Sequence, residues 1–298
     1  MPPLLLGDDD VRARLDAPTA VTAVRQALLA HHAGTLTAPP RVRTGLGDGD
    51  LVFTAGQLRE QGLHGFRVYD DWDRNSDQLV AVWDTGTGRL RGLVHGGELG
   101  PRRTGAIGAL AVNALARPEA SRLGLVGAGV QAWTQLWALA AVRHIDEVVV
   151  SASRPARAAA FAERAWRELD LKVRAVDSAE RAVRGQDIVI VATNSPTPVL
   201  NEDWVSPGTH LTTLGPKTVS QHEIPAALAE RADVVVTDSR AQVAGYAESH
   251  IFGPSTMTEL GAVLAGAAPG RTSAGQITVF CSVGLAGTDV AVAAALLG

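Results

Sequence analysis

Apolar and polar positions along the chain fall into three textures. In residues 8–34, "DDDVRARLDAPTAVTAVRQALLAHHAG", apolar side chains recur at helical spacing behind an acidic start and ahead of Gly34, which predicts helix. From Arg41 the pattern shortens. "RVRTGL", "LVFTAG", "GFRVYD", "QLVAVWD" and "LRGLVHG" alternate or run apolar between Gly and Asp, as short strands do, and "TGTG" at 85–88 fits a turn between antiparallel strands. The small-residue stretch "GPRRTGAIGALAVNALARPEA" predicts a helix that stops near Arg117-Pro118, since proline disfavours helix in the residue before it. From Leu123 strands and helices alternate. "RLGLVGAG", "DEVVVSAS", "KVRAV", "DIVIVAT", "HLTTLG", "DVVVTD" and "QITVFCSVG" read as strands, and "VQAWTQLWALAAVR", "ARAAAFAERAWREL", "MTELGAVLAG" and "TDVAVAAALL" as helices. That alternation builds a parallel sheet covered on both faces.

Composition adds limits. A chain of 298 residues, 46% hydrophobic and 19% charged, has the apolar mass for two cores. A net charge of −4 gives no reason to expect nucleic acid or an anionic membrane as partner. One cysteine, Cys281, leaves no intrachain disulfide, which suits a reducing compartment, and its apolar strand makes it a core thiol. Three leucines near the N-terminus are too few for a signal peptide, and no apolar run reaches the roughly 18 residues of a membrane span. A cytoplasmic protein is expected. The eight histidines show no metal spacing, so no metal is expected.

The first chemical motif is Gly127-Ala128-Gly129-Val130-Gln131-Ala132, the G-x-G-x-x-A form of a dinucleotide fingerprint. Gly127 would make the tight turn, Gly129 would admit a pyrophosphate, and Ala132 would let helix and strand pack closely, with Val130 and Gln131 on the helix start. The motif follows a buried strand and opens a helix, the context it requires; the alternative is a glycine turn without a nucleotide. About 20 residues on, a carboxylate would hold the ribose 2′-OH of NAD. Here the chain reads "VVVSASRPAR" with no acid, so Ser153 and Arg154 favour the 2′-phosphate of NADP(H) over NADH, unless Arg154 only opens a solvated helix. Arg41, Arg67 and Arg103 are the type of donor a substrate carboxylate calls for, but their spacing places them in no common pocket.

The blocks "PPRVR", "GFRVYD", "RRTGAIGALAVNALARPEASRLGLVGAGVQA", "NSPTPVLNEDWVSPGTHLTTLG", "ERADVVVTDSRAQ", "ELGAVLAG" and "ITVFCSVGLAGTDVAVA" together resemble the ornithine cyclodeaminase/mu-crystallin family, in its order and over nearly the whole chain. The resemblance implies an α/β homodimer with two domains. Residues 1–116, completed by 277–298, would form an α+β substrate and dimerisation domain, and 117–276 a Rossmann NADP(H)-binding domain. It implies that Arg41, Arg67 (where the family commonly has lysine) and Arg103, next to Thr104, bind a substrate carboxylate. It places Thr193 and Asn194 beside the cofactor and Val283-Gly284 near the nicotinamide.

One position departs from the family. Cyclodeaminases carry an aspartate after a glycine pair or Gly-Ala where this chain reads Gly215-Pro216-Lys217. A lysine does not replace a carboxylate as general base. The resemblance therefore points to the imine-reducing branch: NADPH-dependent reduction of a small cyclic ketimine 2-carboxylate, such as pyrroline-2-carboxylate or piperideine-2-carboxylate. Lys217 is then a candidate catalytic proton donor, or a lysine pointing to solvent beside Glu223. The alternatives are an ornithine or lysine cyclodeaminase or amino-acid dehydrogenase, and a non-catalytic NADPH- or small-ligand-binding protein.

Overall fold

The computed structural model describes residues 2–72 and 77–298, and the chain forms two sheets with helices between and around them. The first unit opens with β1 (Leu4–Leu6), α1 (Asp8–Arg14) and α2 (Ala17–His32). It continues through β2 (Leu36–Thr37), β3 (Val42–Gly45), β4 (Asp50–Leu58), β5 (Leu63–Asp70), β6 (Gln78–Asp84), β7 (Leu90–Gly96) and α3 (Leu99–Leu115). The second holds β8 (Arg122–Val126), α4 (Val130–Ala140), β9 (Glu147–Ser151), α5 (Pro155–Leu169), β10 (Val173–Ala175), α6 (Ala179–Val183), β11 (Ile188–Val191) and β12 (His210–Thr213). After these come α7 (Leu228–Arg231), β13 (Val234–Thr237), α8 (Arg240–Ala244), β14 (Thr258–Glu259), α9 (Leu260–Leu264), β15 (Thr278–Cys281) and α10 (Thr288–Leu297).

Two local readings change at the N-terminus. The helical stretch 8–34 is broken into α1 and α2, because the Asp16 side chain accepts from the Thr19 amide and caps a new helix with Pro18 in its first turn. The three leucines form β1, a parallel partner of β7 that periodicity over three residues could not reveal. The rest of the first sheet is antiparallel across β4, β5, β6 and β7, with Asp84 accepting from Thr87 at the 85–88 turn. Alternate residues of these strands face α2, α3 and α10, where Leu58, Val80, Val82 and Val94 are buried with Leu28 and Ile107. Full burial of a side chain like Leu28 contributes about 1.5–3 kcal/mol.

The second sheet is parallel throughout, in the order β10-β9-β8-β11-β12-β15-β13-β14. The order reverses between β8 and β11, and a crevice opens at the carboxyl ends of strands on either side of such a switch point. β15 lies inside this sheet, so the chain returns to the first unit only with α10. Small residues bring the units together: a Cβ on Gly105 of α3 would stand 2.2 Å from the Thr134 carbonyl oxygen of α4, and one on Gly108 would stand 1.8 Å from Gln135 Oε1. This approach sets the first turn of α3, with Arg103, beside the fingerprint helix.

Candidate active site

The crevice is a groove of about 800 Å³ lined by the ends of β8, β9 and β11. At Gly127 the chain turns with φ +110°, and a Cβ there would meet the Ala192 carbonyl oxygen at 2.2 Å, so only glycine fits. Gly129 has an extended backbone that any residue adopts, and a Cβ on it would meet nothing within 4 Å because it would stand in the groove. Open space above a glycine at a helix N-terminus is what a dinucleotide pyrophosphate needs. Val130, Gln131, Ser153, Thr193 and Asn194 line the same groove. Arg154 stands exposed as the N-cap of α5 outside the lining, and Arg157, one turn on, lines it. Asp177 also lines the groove and is paired with Arg181 at 3.2 Å.

Gln131 and Asn194 have a second face, on a pocket of about 330 Å³ between the two units. Arg41, Arg67, Arg103 and Thr104 all line it, so tertiary structure gathers what spacing left scattered. Arg67 and Arg103, which surface statistics would leave exposed, are 9% and 6% exposed. Their countercharge is Asp289, on the first turn of α10, which accepts from Arg103 Nε at 2.9 Å and lies 3.4 Å from Arg67 Nη1. Burial alone would raise the Asp289 carboxyl, but Arg103 and then Arg67 outweigh it and hold it below the usual carboxylate range. Burial likewise pulls Arg67 below the ordinary guanidinium value, with Asp289 opposing. Arg67 also donates to Gln78 Oε1 at 2.6 Å and lies 4.3 Å above the Tyr69 ring.

The three arginines are not equivalent. Arg41 donates through Nε to Gln242 Oε1, through Nη1 to the Tyr69 hydroxyl and through Nη2 to the Val283 carbonyl, so its donors are already occupied. Arg103 uses only Nε on a protein partner among the described residues, leaving both terminal nitrogens for a carboxylate. Gly284, with φ +83°, keeps that space open: a Cβ there would stand 3.1 Å from Arg103 Nη1.

Lys217 does not point to solvent. It is 2% exposed, lines the pocket, and donates from Nζ to the Gly215 carbonyl. Nor is Glu223 its partner. The buried Glu223 carboxylate accepts from the amides of Thr193, Leu214 and Gly215 and from the hydroxyls of Thr193 and Thr213, tying the ends of β11 and β12 together. Asp238 does the same at the end of β13, accepting from the amides of Val283, Gly284 and Leu285.

Sequence reasoning missed Asp289, Tyr69, Gln242 and Asp238, and set Glu223 beside Lys217 rather than on the amides at the strand ends. Asp289 left a trace, as the lone acid in the apolar run "TDVAVAAALL"; Asp238 left one as the acid ending "DVVVTD". Cys281 is buried in β15 as a core thiol, and burial pushes it up to about 12. Among the described residues, no three His, Cys, Asp or Glu side chains are gathered to hold a metal, and no helix is long and apolar enough to cross a membrane.

Comparison with known proteins agrees with this fold. The profile of the ornithine cyclodeaminase/mu-crystallin family matches residues 3–297. The iminosuccinate reductase of Paracoccus denitrificans is 31% identical over 87% of this chain and 84% of its own. The Thermococcus litoralis Δ1-pyrroline-2-carboxylate reductase, solved with NADH and L-proline, superposes with TM-score 0.91 at 28% identity, over 99% of this chain and 96% of that one. An archaeal alanine dehydrogenase dimer with bound NAD gives TM-score 0.90 at 28% identity, covering 100% of this chain and 95% of that one.

Proposed function

The chain belongs to the ornithine cyclodeaminase/mu-crystallin family, and from that premise we propose that it reduces a small ketimine 2-carboxylate with NADPH, pyrroline-2-carboxylate and piperideine-2-carboxylate being the simplest cyclic members of the class. The chain is an imine-reducing enzyme that uses a nicotinamide dinucleotide, as its relatives are. One observation favours reduction over cyclodeamination: Asp289 is the single carboxylate among the described pocket-lining residues, and two arginines hold it. No lining carboxylate is left to serve as a general base.

The bound cofactor would supply a hydride to the imine carbon. The protein's part is to bind and orient. Arg103 offers its two terminal nitrogens to the carboxylate, with Thr104 beside it, while Arg41 and Arg67 add positive potential. Gln131 and Asn194 form the wall shared with the groove, so a carboxylate held by Arg103 leaves the imine carbon facing it. The imine nitrogen needs a proton, which a protonated imine brings from solution. The 2′-phosphate preference is supported by the acid-free end of β9, with Ser153 and Arg157 on the groove wall. A homodimer is supported by the outer face of the first sheet, where Phe53, Phe66, Val68, Leu79 and Trp83 stand away from the core helices, and by the dimeric relative.

The test is direct. NADPH oxidation should depend on Δ1-pyrroline-2-carboxylate and yield proline, L-ornithine should release no ammonia, and NADPH should bind more tightly than NADH. Steady ammonia release from ornithine would overturn the reductase reading, and equal or tighter binding of NADH would overturn the phosphate preference alone.

A further inference from the structure

Lys217 is buried with its charge unanswered. Among the described residues no carboxylate oxygen lies within ion-pairing distance of Nζ, and its one hydrogen-bond partner is the Gly215 carbonyl. An ammonium has three donors, so two point to no protein acceptor. The nearby acids cannot serve: Glu223 and Asp238 lie behind the lining, taken up by backbone amides, and Asp289 sits between Arg67 and Arg103. The pocket wall therefore carries four cations, Arg41, Arg67, Arg103 and Lys217, against one anion, Asp289. A 2-carboxylate imine with a protonated nitrogen is net neutral. It would leave that excess intact, and the field would oppose protonation of the imine. A second carboxylate on the substrate changes both terms.

We propose that the preferred substrate is an imine bearing two carboxylates, the first held by Arg103 and the second by Lys217, which makes Lys217 a specificity-determining residue rather than the proton donor. The inference rests on the imine-reducing reading above. The two anchors come from different sides of the cleft, Arg103 from α3 of the first unit and Lys217 from the loop after β12 of the second. A substrate spanning them bridges the two units within the pocket that both line. The reaction is unchanged in its balance. NADPH gives a hydride to the imine carbon, the nitrogen keeps the proton it brought, and an amino dicarboxylate and NADP⁺ leave.

The experiment has an enzymatic arm and a binding arm. In the first, kcat/KM is compared for iminosuccinate, formed in place from oxaloacetate and ammonium, and for Δ1-pyrroline-2-carboxylate. The dicarboxylate is expected to be favoured by about tenfold or more in the wild type, and Lys217→Met is expected to cut that ratio by roughly 30-fold or more, as loss of one partner of a buried charge pair does. Lys217→Arg should retain the preference. In the second arm, wild-type enzyme loaded with NADPH is titrated with succinate and with butyrate, which has the same chain length and one carboxylate fewer. Succinate should bind about tenfold tighter or better, read from the fluorescence of the bound nucleotide. A wild type that prefers the monocarboxylate imine, or binds succinate no better than butyrate, overturns the second anchor and leaves imine reduction standing. Lys217→Met lowering both imines equally overturns it too. Reduction of neither imine overturns the reductase reading instead, and succinate against butyrate still decides the anchor.

Discussion

The groove and the pocket share Gln131 and Asn194 as a wall, yet they are built by opposite means. The groove is a surface of main chain and small side chains: Gly127 turns where nothing larger fits, and Gly129 withholds a Cβ from open space. The pocket is a surface of charge: two guanidinium groups under 10% exposure around one carboxylate, with a buried ammonium in the same lining. Helix dipole and amide donors need no side chain and lose little on burial, because they are part of secondary structure already formed. Buried guanidinium and ammonium groups are costly unless paired, so the pocket needs Asp289 within the protein and an anion from outside. The difference teaches where each site is vulnerable. Adding atoms damages the groove, and removing charge damages the pocket.

The sharpest way to break that contrast is Arg103→Ala. Removing the one guanidinium with both terminal nitrogens free among the described pocket-lining residues should cost about 2–5 kcal/mol of transition-state binding, read as a fall in kcat/KM for the imine, while the dissociation constant of NADPH changes little. An unchanged kcat/KM would place Arg103 outside the site. Next comes Gly129→Ala. Its Cβ meets no protein atom, so the melting temperature should hold while NADPH binding weakens by about tenfold, near 1.4 kcal/mol. Gly127→Ala should instead lose stability, since φ +110° and the Ala192 carbonyl both oppose a side chain. Equal behaviour of the two variants in both measurements would dissolve the distinction drawn between the glycines.

The smallest effect concerns β12, the strand that delivers Leu214 and Gly215 to the pocket. His210 is fully buried there, bonded to Thr212 and Thr278, and burial, with Arg271 and Arg143 adding, pushes it from 6.5 to about 3. The folded state thus resists a proton that the unfolded chain accepts below 6.5. The stability from neutral His210 is complete above that pH and is lost as pH falls toward about 3, at no more than about 1.4 kcal/mol per pH unit. Urea midpoints at pH 7.5 and 5.5 should therefore differ more for the wild type than for His210→Gln. A variant with the same acid sensitivity would acquit His210.

Much of the architecture was legible because it is local. Apolar periodicity marked the strands and helices from Leu123 onward, and the fingerprint residues are neighbours whose spacing alone encodes a turn and a helix start. Where local signals compete, the reading was coarser. Asp16 and Pro18 broke a helix whose apolar spacing ran on through them, and β1 was too short for any period. The charged pocket was not legible from spacing. Arg41, Arg67, Arg103, Lys217 and Asp289 come from five separate segments, and a buried arginine has the same sequence signature as an exposed one until its countercharge is placed. The family resemblance named the arginines, and the lysine announced that a carboxylate was gone. Only the packing of α3 on α4, the docking of α10 under the first sheet and the two carboxylates tying the strand ends decided which charges face one another. Sequence determines what neighbours along the chain can do; electrostatic partners are set by distance through space, and that distance exists only once both units have folded together.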